Sequence, residues 1–184
     1  SDCLSPEVLD LLTSLNRQKP VWIELGMQTM HNDTLHRMHT HTTIEQFDAA
    51  VYELAERNIP VIAHVILGLP GEDRDHMLAT IRHVASLPLS GVKLQLLHVL
   101  KHTALADMYE DTPFPVMELE EYCELVIDCL ERLPSDMVIH RLTGDGPRSL
   151  LIAPLWSTDK KRVLNTIHRR LKERGTWQGK YFHP

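Results

Sequence analysis

Glu24, Gln28, His64 and His98 are the side chains of this 184-residue sequence best placed to do chemistry, because each sits in or just beyond a short apolar run. Gln95, His140 and Arg141 stand in comparable runs. An ionised carboxylate only accepts hydrogen bonds, an amide donates and accepts, and an imidazole can also carry a proton near neutral pH. Together they could orient a polar ligand and hold a proton beside it. Taken singly, a histidine in such a run reads more simply as a hydrogen-bonded core residue. The accumulation points elsewhere: every run carries at least one polar group, and a carboxylate buried at Glu24 without a partner would be costly to desolvate. The expectation is a polar cavity in place of a dry core.

Gly68-Leu69-Pro70-Gly71-Glu72 follows the His64 run. It lacks the lysine and the spacing of a phosphate-binding loop, so its glycines either permit a tight turn or let backbone approach a ligand closely. His36, His39 and His41 invite a zinc hypothesis, since closely spaced imidazoles are common zinc ligands. They fall in a loop and cap region before a helix, with no acid or cysteine at matching spacing, and exposed loop histidines account for them better. A metal-dependent hydrolase built on those three is the alternative.

Alternating helices and strands must hold these groups. Ser5 and Pro6 start a helix with an apolar face of Val8, Leu9, Leu11, Leu12 and Leu15, which Lys19 and Pro20 end. A strand follows over 21–25. Thr42 with Glu45 predicts a capping box, opening a helix along Ile44, Phe47, Val51, Leu54 and Ala55 that stops at Pro60. The strand over 61–67 is nearly all apolar, which suits a parallel strand covered on both faces. A helix over 74–86, a strand over 91–99, a helix over 119–133, a strand over 137–142 and a helix over 160–174 complete the order. This is an α/β pattern of parallel strands with helical crossovers. A closed eight-unit barrel takes about 250 residues and this chain supplies about four units, so it is either a small open sheet or a piece of something larger. A single domain is expected, with βα units over 1–142 and a C-terminal helix and tail over 143–184.

Composition sets bounds. At 43% hydrophobic the chain can support a core, while its longest apolar run, 61–69, is well short of the roughly 20 residues a membrane span needs. No charged-then-apolar leader opens it, and a soluble, cytoplasmic protein is expected. Cys3, Cys123 and Cys129 are too sparse for a disulfide scaffold and fit a reducing compartment. Cys123 joins the apolar stripe Leu119, Tyr122, Val126 and Leu130 and reads as core packing. A net charge of −6 and 5% aromatic content give no general attraction to phosphate backbones and no stacking platform, so nucleic acid is not an expected partner.

Glu24-Leu25-Gly26-Met27-Gln28-Thr29, then Thr34-Leu35 and Arg37-Met38, then His64-Val65-Ile66-Leu67-Gly68-Leu69-Pro70-Gly71-Glu72, together resemble the middle and later strands of radical S-adenosylmethionine enzymes in order and spacing. Asp2-Cys3-Leu4 and Leu150-Leu151-Ile152-Ala153-Pro154-Leu155-Trp156 look like the branch of bacterial iron-sulfur oxidoreductases once grouped with oxygen-independent coproporphyrinogen III oxidase. The resemblance implies the C-terminal half of a partial TIM-like barrel. In the full-length protein, a [4Fe-4S] cluster on three closely spaced cysteines would cleave S-adenosylmethionine reductively to a 5′-deoxyadenosyl radical. It further implies that Gln28 and His64 lie against S-adenosylmethionine, that Glu24 and the turn from Gly68 to Gly71 border it, the turn on its adenine side, and that His98 is a further lining residue.

Two departures stand out. Relatives often carry an arginine twelve residues beyond the glutamine, where this sequence has Thr40, and no Cys-x-x-x-Cys-x-x-Cys occurs. The chain is therefore expected to be the carboxyl-terminal part of the enzyme, inactive alone and missing the N-terminal half of the barrel. The rival reading is a non-catalytic half-barrel module that binds or dimerises through an exposed sheet edge. The substrate is not legible, because one fold supports many reactions through its loops.

Overall fold

The computed structural model describes residues 4–144 and 146–183; Asp2 and Cys3, part of the opening likeness, lie outside them. Ser5 Oγ accepts from the Val8 amide at the start of helix α1 (Pro6–Gln18). Strand β1 (Ile23–Gln28) begins and ends later than the expected 21–25. The cause is local: the Val21 amide donates to Asn16 Oδ1 at 3.0 Å, and the first bond on the strand side runs from Ile23 to the Pro60 carbonyl. A short helix α2 (Asn32–Arg37) takes in His36, so the histidine run is only partly loop.

Helix α3 (Ile44–Glu56) is capped one residue later than predicted. Thr43 Oγ1 accepts from the Gln46 amide and Gln46 Oε1 accepts from the Thr43 amide, while both carboxylate oxygens of Glu45 accept from Asn32 Nδ2. The S/T-x-x-E/Q pattern fits both frames, and the Asn32 contact resolves the choice. Strand β2 (Val61–Leu67) leads through the glycine turn to helix α4 (Arg74–Ser86), whose Asp73 cap accepts from the His76 amide at 3.0 Å.

Strand β3 (Gly91–Leu96) is shorter than the expected 91–99. Val99–Leu100 (β4) leaves the main sheet, precedes helix α5 (Ala104–Asp111), and pairs antiparallel with Leu151–Ala153 (β6). Apolar residues continue past Leu96 to Leu97 and Val99, but Val99, Ala106 and Ala153 bury themselves in a second small core. Helix α6 (Leu119–Arg132), strand β5 (Val138–Arg141) and helix α7 (Lys160–Arg174) follow the expected order.

The main sheet is parallel throughout, in the order β1-β2-β3-β5. One face carries Val61, Ala63, Val65, Leu67, Val92, Leu94 and Leu96, all buried in the main core with Phe47, Val51 and Leu54 of α3, Ile81 of α4, Tyr122 and Val126 of α6, and Ile167 of α7. Each of the Val, Leu, Ile and Phe side chains among them contributes roughly 1.5–3 kcal/mol on burial. Helices thus cover one face, and the sheet's other face is the one left for chemistry.

Candidate functional site

Residues in parallel register share a face, and neighbours along a strand alternate. Gly26 pairs with His64, His64 with Lys93, and Ile66 with Gln95, so these residues and Glu24 share the face opposite the core. They make one network. His64 Nε2 lies 2.8 Å from Glu24 Oε2, Lys93 Nζ donates to the same oxygen, and Gln95 Nε2 lies 3.3 Å from His64 Nδ1.

Glu24 is neither buried nor unpartnered: its side chain is 36% exposed. The desolvation argument for a cavity is thereby corrected, since Lys93 and His64 stabilise the carboxylate directly. Those bonds, Lys93 first, pull its pKa down from 4.5 to about 2. Lys93 escaped the sequence reading, although it alternates with Gln95 in Gly91-Val92-Lys93-Leu94-Gln95-Leu96 and so falls on the same face.

The other candidates lie at the carboxyl edge, where the strands, all parallel, end together. Gln28 ends β1 with φ +63°, and its amide folds back over Gly26, where a Cβ would stand 2.6 Å from Nε2. It lines a cavity of about 150 Å³ with Thr40, Thr43 and Phe47, so the position where relatives often carry arginine does share a hollow with the glutamine. Gly68 and Gly71, at φ +89° and +83°, line a separate cavity of about 250 Å³ with Met77, Phe114, Met117 and Glu121. Thr29 Oγ1 donates to Glu72 at 2.6 Å and tethers that turn to the end of β1.

His98 follows β3, and its ring packs where a Cβ on Gly144 or Gly146 would stand. The structure therefore brings Glu24 and His64 into contact and sets Gln28 just above them, but the glycine turn and His98 line other surfaces of the same edge. His140 lies on the polar face against Gly91.

Among the described residues no group of three His, Cys, Asp or Glu could hold a metal ion, which removes the support for a hydrolase on His36, His39 and His41. Cys123 and Cys129 are fully buried in α6, and burial pushes their thiols up to about 11 and about 12. No described helix is long and apolar enough to cross a membrane.

Comparison with known proteins fits this geometry. YtqA of Bacillus subtilis is 41% identical over 181 residues, covering 98% of this chain and 56% of YtqA. MJ0486 of Methanocaldococcus jannaschii is 36% identical over 183 residues, covering 98% and 57%. YhcC of Escherichia coli is 33% identical over 175 residues, covering 95% and 57%. The chain thus spans little more than half the length of these relatives. An archaeal Elp3 from Methanocaldococcus infernus, with an N-terminal deletion, superimposes with a TM-score of 0.82 at 18% identity, over 96% of this chain and 40% of that one. The radical S-adenosylmethionine methyltransferase TsrM from Kitasatospora setae, solved with cobalamin and a [4Fe-4S] cluster, gives 0.51 at 20% identity, over 59% of this chain and 21% of that one. At such identities both show the fold alone. Residues 1–84 match the Radical SAM superfamily model and residues 89–173 match the Radical_SAM C-terminal domain model, so two adjoining radical SAM matches run along this chain.

Proposed function

We propose that this chain is the C-terminal, cofactor-lining part of a radical S-adenosylmethionine iron-sulfur oxidoreductase of the branch once grouped with oxygen-independent coproporphyrinogen III oxidase. The observation that carries the reading is the sheet's asymmetry. One face is sealed by helices, while the other carries Glu24, His64, Lys93 and Gln95 in a single hydrogen-bonded network beneath the carboxyl edge. In parallel α/β proteins that edge is where ligands bind. Glu24, Gln28, His64, Gly68, Gly71 and His98 are the proposed lining residues for S-adenosylmethionine. The polar face and the glycine-lined hollow suit its hydroxyls, ammonium and adenine.

Among the described residues the cysteines do not fit the cluster. Iron-sulfur clusters need several converging thiolates, and Cys123 and Cys129 are two thiols six positions apart that burial holds protonated. When bound in the whole enzyme, the cluster would supply the electron for reductive cleavage; this chain's residues would bind and orient the cofactor. Calorimetric titration with S-adenosylmethionine tests the lining role, with saturable one-to-one binding expected. Anaerobic reconstitution of this chain alone should yield no stable four-iron signal.

A second reading rests on a different observation. β1 is an edge strand, and Trp22, Leu11 and Leu15 nearby are 57%, 58% and 43% exposed. This apolar margin would suit an N-terminal half of a barrel, or a second copy in a homodimer. Sedimentation that shows a concentration-dependent dimer without S-adenosylmethionine binding would favour the non-catalytic module.

A further inference from the structure

We propose that Lys93 and Gln95 are positioning residues: Lys93 fixes the Glu24 carboxylate and Gln95 fixes the His64 ring, so that the network turns hydrogen-bond acceptors toward a ribose hydroxyl or the ammonium of bound S-adenosylmethionine. The inference deepens the lining role proposed above, and the identity of the ligand rests on that reading.

The argument runs from donors and acceptors. An ionised carboxylate can only accept, so His64 must present Nε2–H to Glu24. In the neutral ring Nδ1 is then a lone pair, and the group facing it is the Gln95 amide nitrogen, a donor. The two bonds are mutually consistent, and together they hold one tautomer and one ring orientation. Lys93 and His64 both use Glu24 Oε2. Among the described residues no hydrogen bond reaches Oε1, and none reaches Gln95 Oε1. What the network offers outward is therefore two acceptors, one of them anionic.

Lys93 is also the charge that makes this possible. Its side chain is only 15% exposed, so it is fixed on the face and does not trail in solvent. His64 and Gln95 alone would leave the carboxylate with one neutral donor. Lys93 thus holds the anion in place, and Gln95 holds the ring that contacts it. Neither touches the ligand through the group that does the holding.

Two measurements on this chain test the proposal separately. The first needs no ligand: the imidazole nitrogen shifts of His64 are read by long-range proton–nitrogen correlation. Protonated Nε2 with unprotonated Nδ1 is expected, the tautomer that Glu24 imposes, with the Nδ1 resonance moving downfield in Gln95→Leu as its lone pair loses the amide donor; an unchanged Nδ1 shift in that variant overturns the role of Gln95. The second is calorimetric titration with S-adenosylmethionine. Lys93→Met should weaken binding at least tenfold and Lys93→Arg should restore most of it; equal affinity in all three overturns the role of Lys93. If the unaltered chain does not bind S-adenosylmethionine, the lining role falls, and the proposal with it as regards the ligand, while the nitrogen shifts still decide whether Gln95 sets the ring.

Discussion

Arg37 of α2 packs its guanidinium against Gly71 so closely that a Cβ there would stand 2.6 Å from Nη1. The contact ties the glycine turn to the segment after β1, beside the link from Thr29 to Glu72. Two features bear on glycine at this position, the left-handed backbone at φ +83° and the close approach of Arg37.

They are separable. Gly71→Ala should destabilise the chain by about 1–2 kcal/mol, the cost of placing an L side chain in the left-handed region, read as a lower urea midpoint. A guanidinium on a flexible stem can move aside, so adding Arg37→Ala should recover little. Full recovery would mean that the clash, and not the backbone angle, sets the requirement.

Glu24 should titrate near pH 2 in the folded chain, against 4.5 ordinarily, when followed by its side-chain carboxyl carbon shift. Its folded value lies below the unfolded one. Its ionisation therefore stabilises the fold above about pH 4.5, and that contribution fades as pH falls toward 2. The group is over a third exposed, so the effect on stability is small and the shift itself is the better readout. Lys93→Met should raise the titration point; a value already near 4.5 in the unaltered chain contradicts the network.

Cys123 and Cys129 should resist alkylation in the native state and react only on global unfolding, because the thiolate is the nucleophile and burial holds both thiols protonated at neutral pH. Labelling rates that follow urea unfolding are expected. Fast labelling of the folded chain would refute the burial of α6.

The frame of the α3 cap is open to a paired substitution. Thr43→Ala removes the Gln46 contact and should cost about 1 kcal/mol, whereas Thr42→Ala should cost little. The reverse order would restore the frame that begins at Thr42.

Much of this architecture is already written in local chemistry. The order of helices and strands follows from caps such as Ser5, stops such as Pro60, and the period of apolar residues along 61–67, because these depend on neighbours a few positions away. The polar interruptions Glu24, Gln28 and His64 are visible for the same reason. The resemblance added the cofactor, which no periodicity could name. Tertiary structure alone decided which interruptions meet. Lys93 reaches Glu24 across 69 positions only because β1, β2 and β3 lie side by side in one register, while the departure of Val99 from the sheet depends on its pairing with Ala153. Register and pairing are properties of several segments at once, and a single segment carries no record of the partner it will find.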